Sequence, residues 1–202
     1  IVVFIVVLIG AAVAVPFLFK DKIVQAAKDA ANQELNAILN FESIDVSLLQ
    51  NIKNFPDITL VVHQPSIAGI GQFTGDTLVR MDALKLALDI KSLFQTEKPM
   101  EIRGIELVNA DIYAKVASDS QANWDITKPT KETKEPSKFS LAIESIVLDN
   151  VNVKYLDVPA NNSAEILGLN HNANGDFTNN LVRYYSETTI DDVSYFQGLI
   201  PY

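Results

Sequence analysis

The amino-acid sequence predicts an N-terminal transmembrane α-helix followed by a mainly antiparallel, β-rich elongated sheet built from repeated hairpins. Three observations lead to this fold class. The chain starts with an uncharged apolar run, its apolar side chains alternate with a period of two behind residue 40, and its second half contains an internal repeat. A membrane span, a strand periodicity and a repeat together indicate a membrane-tethered β structure.

The apolar run covers residues 1–19, which read IVVFIVVLIGAAVAVPFLF and include no charged side chain. At about 1.5 Å per helical residue they reach roughly 28 Å, close to the hydrocarbon thickness of a bilayer. A cleaved signal peptide is the competing interpretation, because Ala12, Val13 and Ala14 have the small-x-small form of a cleavage site. Further apolar residues follow that site up to Phe19, which favours an uncleaved anchor.

Residues 20–40 are alanine-rich and place apolar side chains on one face at helical spacing. We therefore predict that the helix continues beyond the bilayer to about Asn40 and packs on the following sheet. Residues 41–202 form the predicted β-rich region. Aliphatic side chains there occupy alternate positions, for example from Leu84 to Ile90, as in a strand with one covered face.

The internal repeat aligns residues 100–116 with residues 141–157 without gaps, at an offset of 41. We predict that each copy is a hairpin, with its tight turn at Asn109 or Asn150. Residues 128–138, between the copies, are charged and carry no apolar side chain, which predicts a flexible solvated loop.

Stacked hairpins would extend one apolar face along the sheet. The candidate residues of this face are Ile102, Ile105, Leu107, Ile112, Ile143, Ile146, Leu148 and Val153. Alternation shows that the face is apolar but leaves open whether a lipid or the preceding helix covers it.

Composition and residue spacing exclude several classes of function. The net charge of −9 argues against a nucleic-acid partner. The chain has no cysteine, which excludes disulfides, thiolate metal sites and cysteine nucleophiles. His63 and His171 lie in different strand segments and support no catalytic triad. We expect no catalytic residues, no metal and no cofactor, and hence no enzymatic activity.

Seven short sequences follow one another along the chain. They are Phe19-Lys20-Asp21-Lys22, Val46-Ser47-Leu48-Leu49, Phe55-Pro56, Gly75-Asp76-Thr77-Leu78, Pro99-Met100-Glu101-Ile102, Asn123-Trp124-Asp125-Ile126 and Gly175-Asp176-Phe177-Thr178. In the order and spacing of these sequences the chain resembles the N-terminal part of AsmA-family proteins. The resemblance covers most of the chain.

The resemblance implies an inner-membrane anchor and a periplasmic body, in which strands form a long curved sheet with an apolar inner groove. The implied function is binding or conduction of phospholipid acyl chains for outer-membrane lipid homeostasis, with the bilayer and phospholipids as partners. It also implies a longer chain, of which these residues are the membrane-proximal part. The alternative is a structural subunit of a multi-protein envelope or secretion complex.

Overall fold

The computed structural model describes residues 28, 35–47, 57–89, 100–128, 139–176 and 183–198. These residues form one open, twelve-stranded sheet. Its strands are β1 (Ala37–Asn40), β2 (Ser43–Ser47), β3 (Asp57–His63), β4 (Ser66–Gly69), β5 (Thr77–Arg80), β6 (Ala83–Asp89), β7 (Met100–Val108), β8 (Asp111–Val116), β9 (Phe139–Asp157), β10 (Asn162–Asp176), β11 (Arg183–Thr189) and β12 (Asp192–Gln197). The β-rich region expected from residue 41 onward is therefore confirmed.

Three parts of the predicted organisation lie wholly or largely outside the described residues. They are the membrane span at residues 1–19, the helical extension at residues 20–27 and 29–34, and nearly all of the charged loop at residues 128–138. Within the described part of the chain, none of the helical residues belongs to a helix with the length and apolarity needed to span a bilayer.

The first eight strands are halves of four longer strands, each interrupted by two residues, and the four interruptions lie beside one another in the sheet. The halves form two series, β1-β4-β5-β8 and β2-β3-β6-β7, and both series end against the 19-residue strand β9. Only two residues separate β5 from β6, or β7 from β8. Beyond β9, β10 pairs with β9 on one side and with β11 and β12 on the other. The described chain is thus a row of long strands in which sequence neighbours are also sheet neighbours.

The interruptions lie side by side and form a line across the sheet, which we call the corner. Gln64, Asn109, Asn150 and Gly168 lie on this line with φ values of 50°, 49°, 53° and 61°. Left-handed residues within a strand produce bulges that bend it, and asparagine and glycine tolerate this conformation best. The ladder still continues through the corner, since the Asn109 N–H donates to the Asp149 carbonyl at 2.8 Å. The corner is therefore a bend in continuous strands.

The core of the described sheet lies inside the corner. Ala110 is 0% exposed and Val151 is 1% exposed, and Met81 is buried beside them. Partly buried side chains from both sides of the corner pack against these three residues: Val79, Leu84, Leu107, Ile112, Leu148, Val153 and Leu169. Because both sides contact the same three residues, the apolar faces of the two half-sheets meet at the corner.

The hairpin interpretation of the repeat is wrong, although the repeat itself is structural. Residues 100–116 run as one bent strand, β7 and β8, and pair with β9 in parallel. Ile105 is opposite Ile146 and Leu107 is opposite Leu148, so the register equals the offset of 41 in the sequence. The two copies are adjacent, in-register strands, and their repeated asparagines bend them instead of reversing them. The sheet is accordingly mixed and not purely antiparallel.

The predicted helix to Asn40 is also wrong at its end. Lys28 is helical, but Ala37–Asn40 form strand β1, which pairs with β4. Ala37 is buried and Ile38 is exposed, so the side chains alternate with the period of a strand. Pairing with a neighbouring strand outweighs the helical propensity of a short alanine-containing segment, because that propensity is only a weak preference.

Polar side chains form a ladder on the other face of the corner. Asn109 Nδ2 donates to Asp82 Oδ2 at 2.7 Å, and Asn150 Nδ2 donates to Asn109 Oδ1 at 2.9 Å. The Asn150 N–H donates to Asn170 Oδ1 at 2.9 Å, and Gln64 Nε2 donates to Asp82 Oδ1 at 3.3 Å. This asparagine ladder links five neighbouring strands at the positions where they bend.

Replacing Asn150 by alanine is expected to lower the free energy of unfolding by about 2 kcal/mol, because a Cβ without a local hydrogen bond disfavours positive φ and the ladder is broken. Asn150→Gly relieves the backbone conflict and should lose about half as much. Asn161→Ala is the matched control, since Asn161 has a φ of 54° but lies outside the ladder. Urea denaturation of the three variants measures these differences. Equal losses for Asn150→Ala and Asn150→Gly would show that the ladder alone matters.

Candidate functional site

The apolar faces on the two sides of the corner carry rows of aliphatic side chains that cross the sheet. One row runs through seven neighbouring strands: Leu39, Ile67, Val79, Ile112, Val153, Ile166 and Val193. On the other side of the corner a second row runs through five strands: Ile44, Val62, Leu84, Leu107 and Leu148. We call the apolar surface between and beside these rows the trough.

A third row extends the trough away from the corner, through Leu60, Leu86, Ile105 and Ile146. The side chains of these rows are mostly only partly buried, so the trough presents apolar surface to its surroundings. Seven strands at a spacing of about 4.8 Å make the longest row roughly 29 Å long. The trough is therefore a continuous apolar strip that lies across the strands.

The structure brings most of the eight predicted residues together on this surface. Ile105, Leu107, Ile146 and Leu148 lie on one side of the corner, and Ile112 and Val153 lie on the other as direct partners. Ile102 and Ile143 match in sequence but not in register, because the pairing shifts between Ile102 and Gly104 and places Leu141 opposite Ile102. All eight side chains are partly buried.

Sequence reasoning missed residues that complete the trough from other strands, such as Ile67, Val79 and Ile166. Their alternation is visible in the sequence, but their strands do not repeat one another, so no internal match selects them. The available signal is the period of two itself, which marks the apolar face without showing which strands share it.

Both series of strands carry ion pairs on the face opposite the trough. On the polar face, Lys85 Nζ donates to Glu106 Oε1 at 2.7 Å, directly behind the Leu86 and Ile105 pair. Nearer the corner, Arg80 Nε and Nη2 each donate to Asp111 Oδ2 at 3.0 Å. The ion pairs thus lie on the face opposite the trough, where Val61 and Val147 are the neighbours of Lys85 and Glu106.

Asn152 extends this polar network by donating from Nδ2 to Asp111 Oδ1 at 3.0 Å. This hydrogen bond, followed by those from Arg80, holds the pKa of Asp111 below its ordinary value of 3.8. Since folding lowers this pKa, the interaction favours the folded state above the ordinary pKa. The contribution disappears as the pH falls through the pKa of the folded state.

Asn152→Ala is expected to raise the pKa of Asp111 towards 3.8, because it removes the largest cause of the shift. Carboxyl-carbon NMR titration of the folded protein measures this pKa. Asn172→Ala is the control, since Asn172 lies on β10 opposite Val147, on the far side of the corner. An Asp111 pKa that is identical in the two variants would contradict the assigned cause.

The two histidines lie apart from one another. His63 Nε2 is 2.9 Å from Asp45 Oδ2 on the neighbouring strand β2, and His171 Nδ1 is 2.7 Å from Thr188 Oγ1 on β11. Among the described residues, no three histidine, aspartate or glutamate side chains come close enough to hold a metal ion. Asp191 lies in the link between β11 and β12, and Asp192 begins β12.

A cleft of about 750 Å³ lies beyond the trough, next to the end of β4 at Gly69 and the residues that follow β8. The turn between β4 and β5 forms one wall, and residues 120–126, which follow β8, form the other. Trp124 lines the cleft, is 44% exposed, and contacts Tyr155 with a centroid distance of 6.2 Å. The cleft and the trough are therefore neighbouring sites, and the cleft has polar as well as apolar side chains in its lining.

Comparison with known proteins gives one family. A family model described as the AsmA family matches residues 1–174. The matched range contains the corner and both long rows of the trough as far as β10. No match was found among curated proteins or among solved structures.

Proposed function

Since the chain belongs to the AsmA family, we propose that its trough binds phospholipid acyl chains, in an inner-membrane-anchored protein whose sheet lies in the periplasm. The trough would hold or conduct lipid for outer-membrane lipid homeostasis. No chemical step is part of this function. The observation that carries the proposal is the apolar strip that crosses up to seven neighbouring strands without a polar interruption.

The shape of the trough suits an acyl chain better than a compact ligand. The strip is roughly 29 Å long by strand spacing, and its side chains are aliphatic throughout the longest row. Each methylene transferred from water to such a surface contributes about 0.8 kcal/mol, so a whole acyl chain gains enough to bind without polar contacts. The charged side chains of Lys85 and Glu106 lie on the opposite face of the same strands, where they pair with one another.

The corner supports the proposal in a second way. It brings two apolar half-faces towards one another, so an acyl chain lying along the corner could contact both. The asparagine ladder holds the bend from the polar face, where it does not occupy the trough. A preformed apolar surface reduces the ordering that binding requires.

Native mass spectrometry of the whole chain, extracted from membranes in mild detergent, tests the proposal. We expect phospholipid bound in more than trace amounts, with its acyl chains protected from exchange into added detergent. Chain that is fully folded and carries no lipid under these conditions would overturn the proposal. Variants with paired replacements on the two faces of the same strands distinguish a loss of lipid binding from a loss of folding.

The alternative function, a structural subunit of an envelope complex, has one observation in its favour. β11 and β12 carry exposed large side chains, namely Tyr184, Tyr185, Val193, Tyr195 and Phe196. Apolar residues of this kind are enriched where proteins associate. Co-purification of a partner in fixed stoichiometry, lost on replacing Tyr185 and Phe196 with serine, would support this function.

A further inference from the structure

The cleft beside the trough has a chemistry that differs from an acyl-chain site. We propose that it binds a neutral, hydroxyl-rich group such as a sugar ring, supplied either as the headgroup of a glycolipid or as a free saccharide. The glycolipid form of this inference rests on the proposed function, because its acyl chains would lie in the trough. The binding of the sugar itself does not.

The cleft exists because β5 and β8 part from one another. They pair only at Val79 with Ile112 and at Arg80 with Asp111. Beyond this point Asn123 takes the place of a strand partner for β8: the Lys115 N–H donates to Asn123 Oδ1 at 2.8 Å, and the Asn123 N–H donates to the Lys115 carbonyl at 2.9 Å. The cleft lies between this substitute partner and the turn that ends β4.

One wall of the cleft is held rigidly by Asn123. Its side chain is part of a residue that is only 3% exposed, and its Nδ2 also donates to the Tyr113 carbonyl at 2.6 Å. Further along, the Asn36 N–H donates to the Ile126 carbonyl at 2.7 Å. Residues 120–126 are thus held in the middle, at Asn123, and at their last residue, Ile126.

The opposite wall is equally constrained. Residues Gly71–Phe73 form a 3-10 turn that folds back tightly on β4, since a Cβ at Gly69 would lie 2.5 Å from the Phe73 carbonyl oxygen. Gln72 Nε2 then donates to Gln121 Oε1 at 2.9 Å across the cleft. A volume of about 750 Å³ between two fixed walls lies within the range of small-molecule sites.

The side chains lining the cleft indicate the class of ligand. The polar ones include the amides of Asn36, Gln72 and Gln121, the hydroxyl of Ser120 and the carboxylate of Asp125, and they lie beside the apolar side chains of Ile70, Phe73, Ala122 and Ile126. Amides and hydroxyls both donate and accept hydrogen bonds, as a sugar hydroxyl does. None of the described residues that line the cleft is lysine or arginine. A phosphate is normally bound by such cations, so an anionic headgroup is disfavoured here.

The nearest lysine along β8 does not change this conclusion. Lys115 Nζ donates to Asp76 Oδ2 at 3.0 Å, and this hydrogen bond raises the pKa of Lys115. Its positive charge is therefore already compensated by a carboxylate. The chain as a whole has a net charge of −9, which further disfavours an anionic ligand.

Trp124 supplies the largest aromatic surface in this mixed lining. A large aromatic ring that is 44% exposed in a cleft offers a flat contact for the C–H face of a sugar ring. Its contact with Tyr155 adjoins the trough, because Tyr155 is opposite Ala114 and Ala164 on the face that carries Val153. A lipid with its headgroup against Trp124 could therefore extend its chains along the trough.

Trp124 is the single tryptophan of the chain, so its fluorescence reports on the cleft and on the adjoining contact with Tyr155. The whole chain, reconstituted in phosphatidylcholine nanodiscs, is compared with chain in discs that also contain diglucosyl diacylglycerol or phosphatidylglycerol. Maltose is added separately to the pure phosphatidylcholine discs. We expect a blue shift and reduced acrylamide quenching with the glucolipid or with maltose, and no change with phosphatidylglycerol.

Gln72→Ala and Gln121→Ala should each raise the ligand concentration that gives half of this fluorescence response by about fivefold. This is the loss of affinity expected for one hydrogen bond. Gln197→Ala on β12 is the matched control and should leave this concentration unchanged.

A response to the glucolipid alone supports the headgroup form, and a response to maltose supports the free-saccharide form. A response to phosphatidylglycerol equal to that of the sugars, or no response to either sugar, would overturn the inference. Acyl-chain binding is measured separately by lipid retention, so the two proposals fail independently.

Discussion

Replacing Val151 with aspartate is expected to lower the free energy of unfolding by about 3–5 kcal/mol. Val151 is 1% exposed and lies opposite Leu169, next to the fully buried Ala110. An introduced carboxylate would lose its hydration there and find only aliphatic neighbours. Circular dichroism during urea denaturation measures the change.

The matched control is Val193→Asp, which places the same substitution in the row of aliphatic residues but at a position that is 62% exposed. It should change the free energy of unfolding by no more than about 0.5 kcal/mol. The pH dependence provides a further check. Burial raises the pKa of an introduced carboxyl, so the destabilisation by Val151→Asp should be greatest above that raised pKa and shrink as the pH falls below it. Equal stability of the two variants at neutral pH would show that the corner is not the core.

Replacing both Leu86 and Ile105 with glutamine is expected to reduce the phospholipid retained by the purified chain by about tenfold or more. The two residues are direct partners in the trough, away from the core at the corner. Two amides in the path of an acyl chain would have to be desolvated without hydrogen-bond partners in the lipid, which costs roughly 1–3 kcal/mol for each group. Quantitative lipid extraction after purification measures the retained lipid.

The control for this variant lies on the other face of the same two strands. Lys85 and Glu106 are the adjacent partners of that pair, and their side chains form the 2.7 Å ion pair behind the trough. Replacing both with glutamine removes charge from the same position in the sheet and should leave lipid retention unchanged. Near-ultraviolet circular dichroism establishes that both double variants are folded. Equal retention by the two folded variants would exclude this part of the trough from lipid binding.

The two predictions distinguish residues that stabilise the sheet from residues that contact its proposed ligand. Val151 and Ala110 have no access to a ligand, so their replacement tests the fold. Leu86 and Ile105 are partly buried and face the trough, so their replacement tests the site. The asparagine ladder belongs to the first group, although its effect is smaller, because each of its hydrogen bonds is exchanged for one with water on unfolding.

Much of the trough could be predicted from the sequence. The alternation of aliphatic and polar residues identified Ile105, Leu107, Ile146 and Leu148 as members of one face, and the repeat identified them as equivalent. The position of Ile143 could not be predicted in this way. An ungapped alignment assumes a constant register. On β9, however, Leu141 pairs with Ile102 and Ser145 pairs with Gly104, so β9 has two more residues than β7 between these two pairs.

The cleft could not be predicted from the sequence at all. Its walls come from the turn after β4 and from residues 120–126, which are far apart in the chain. Each wall reads as an ordinary polar connection between strands. Asn123 belongs to one of the short sequences that carry the family resemblance, but its role as a strand partner could not be predicted, because that role depends on where β5 ends.

The sequence by itself determined that this protein has strands with one apolar face, that two of them are copies of one another, and that asparagine marks the same point in each copy. A period of two follows from the pleat of any strand, so it is visible without knowledge of the partner. Only the tertiary structure decided that Asn109 and Asn150 bend a continuing strand. A left-handed asparagine suits a tight turn and a bulge equally well, and the choice between them depends on which distant strand supplies the next hydrogen bonds.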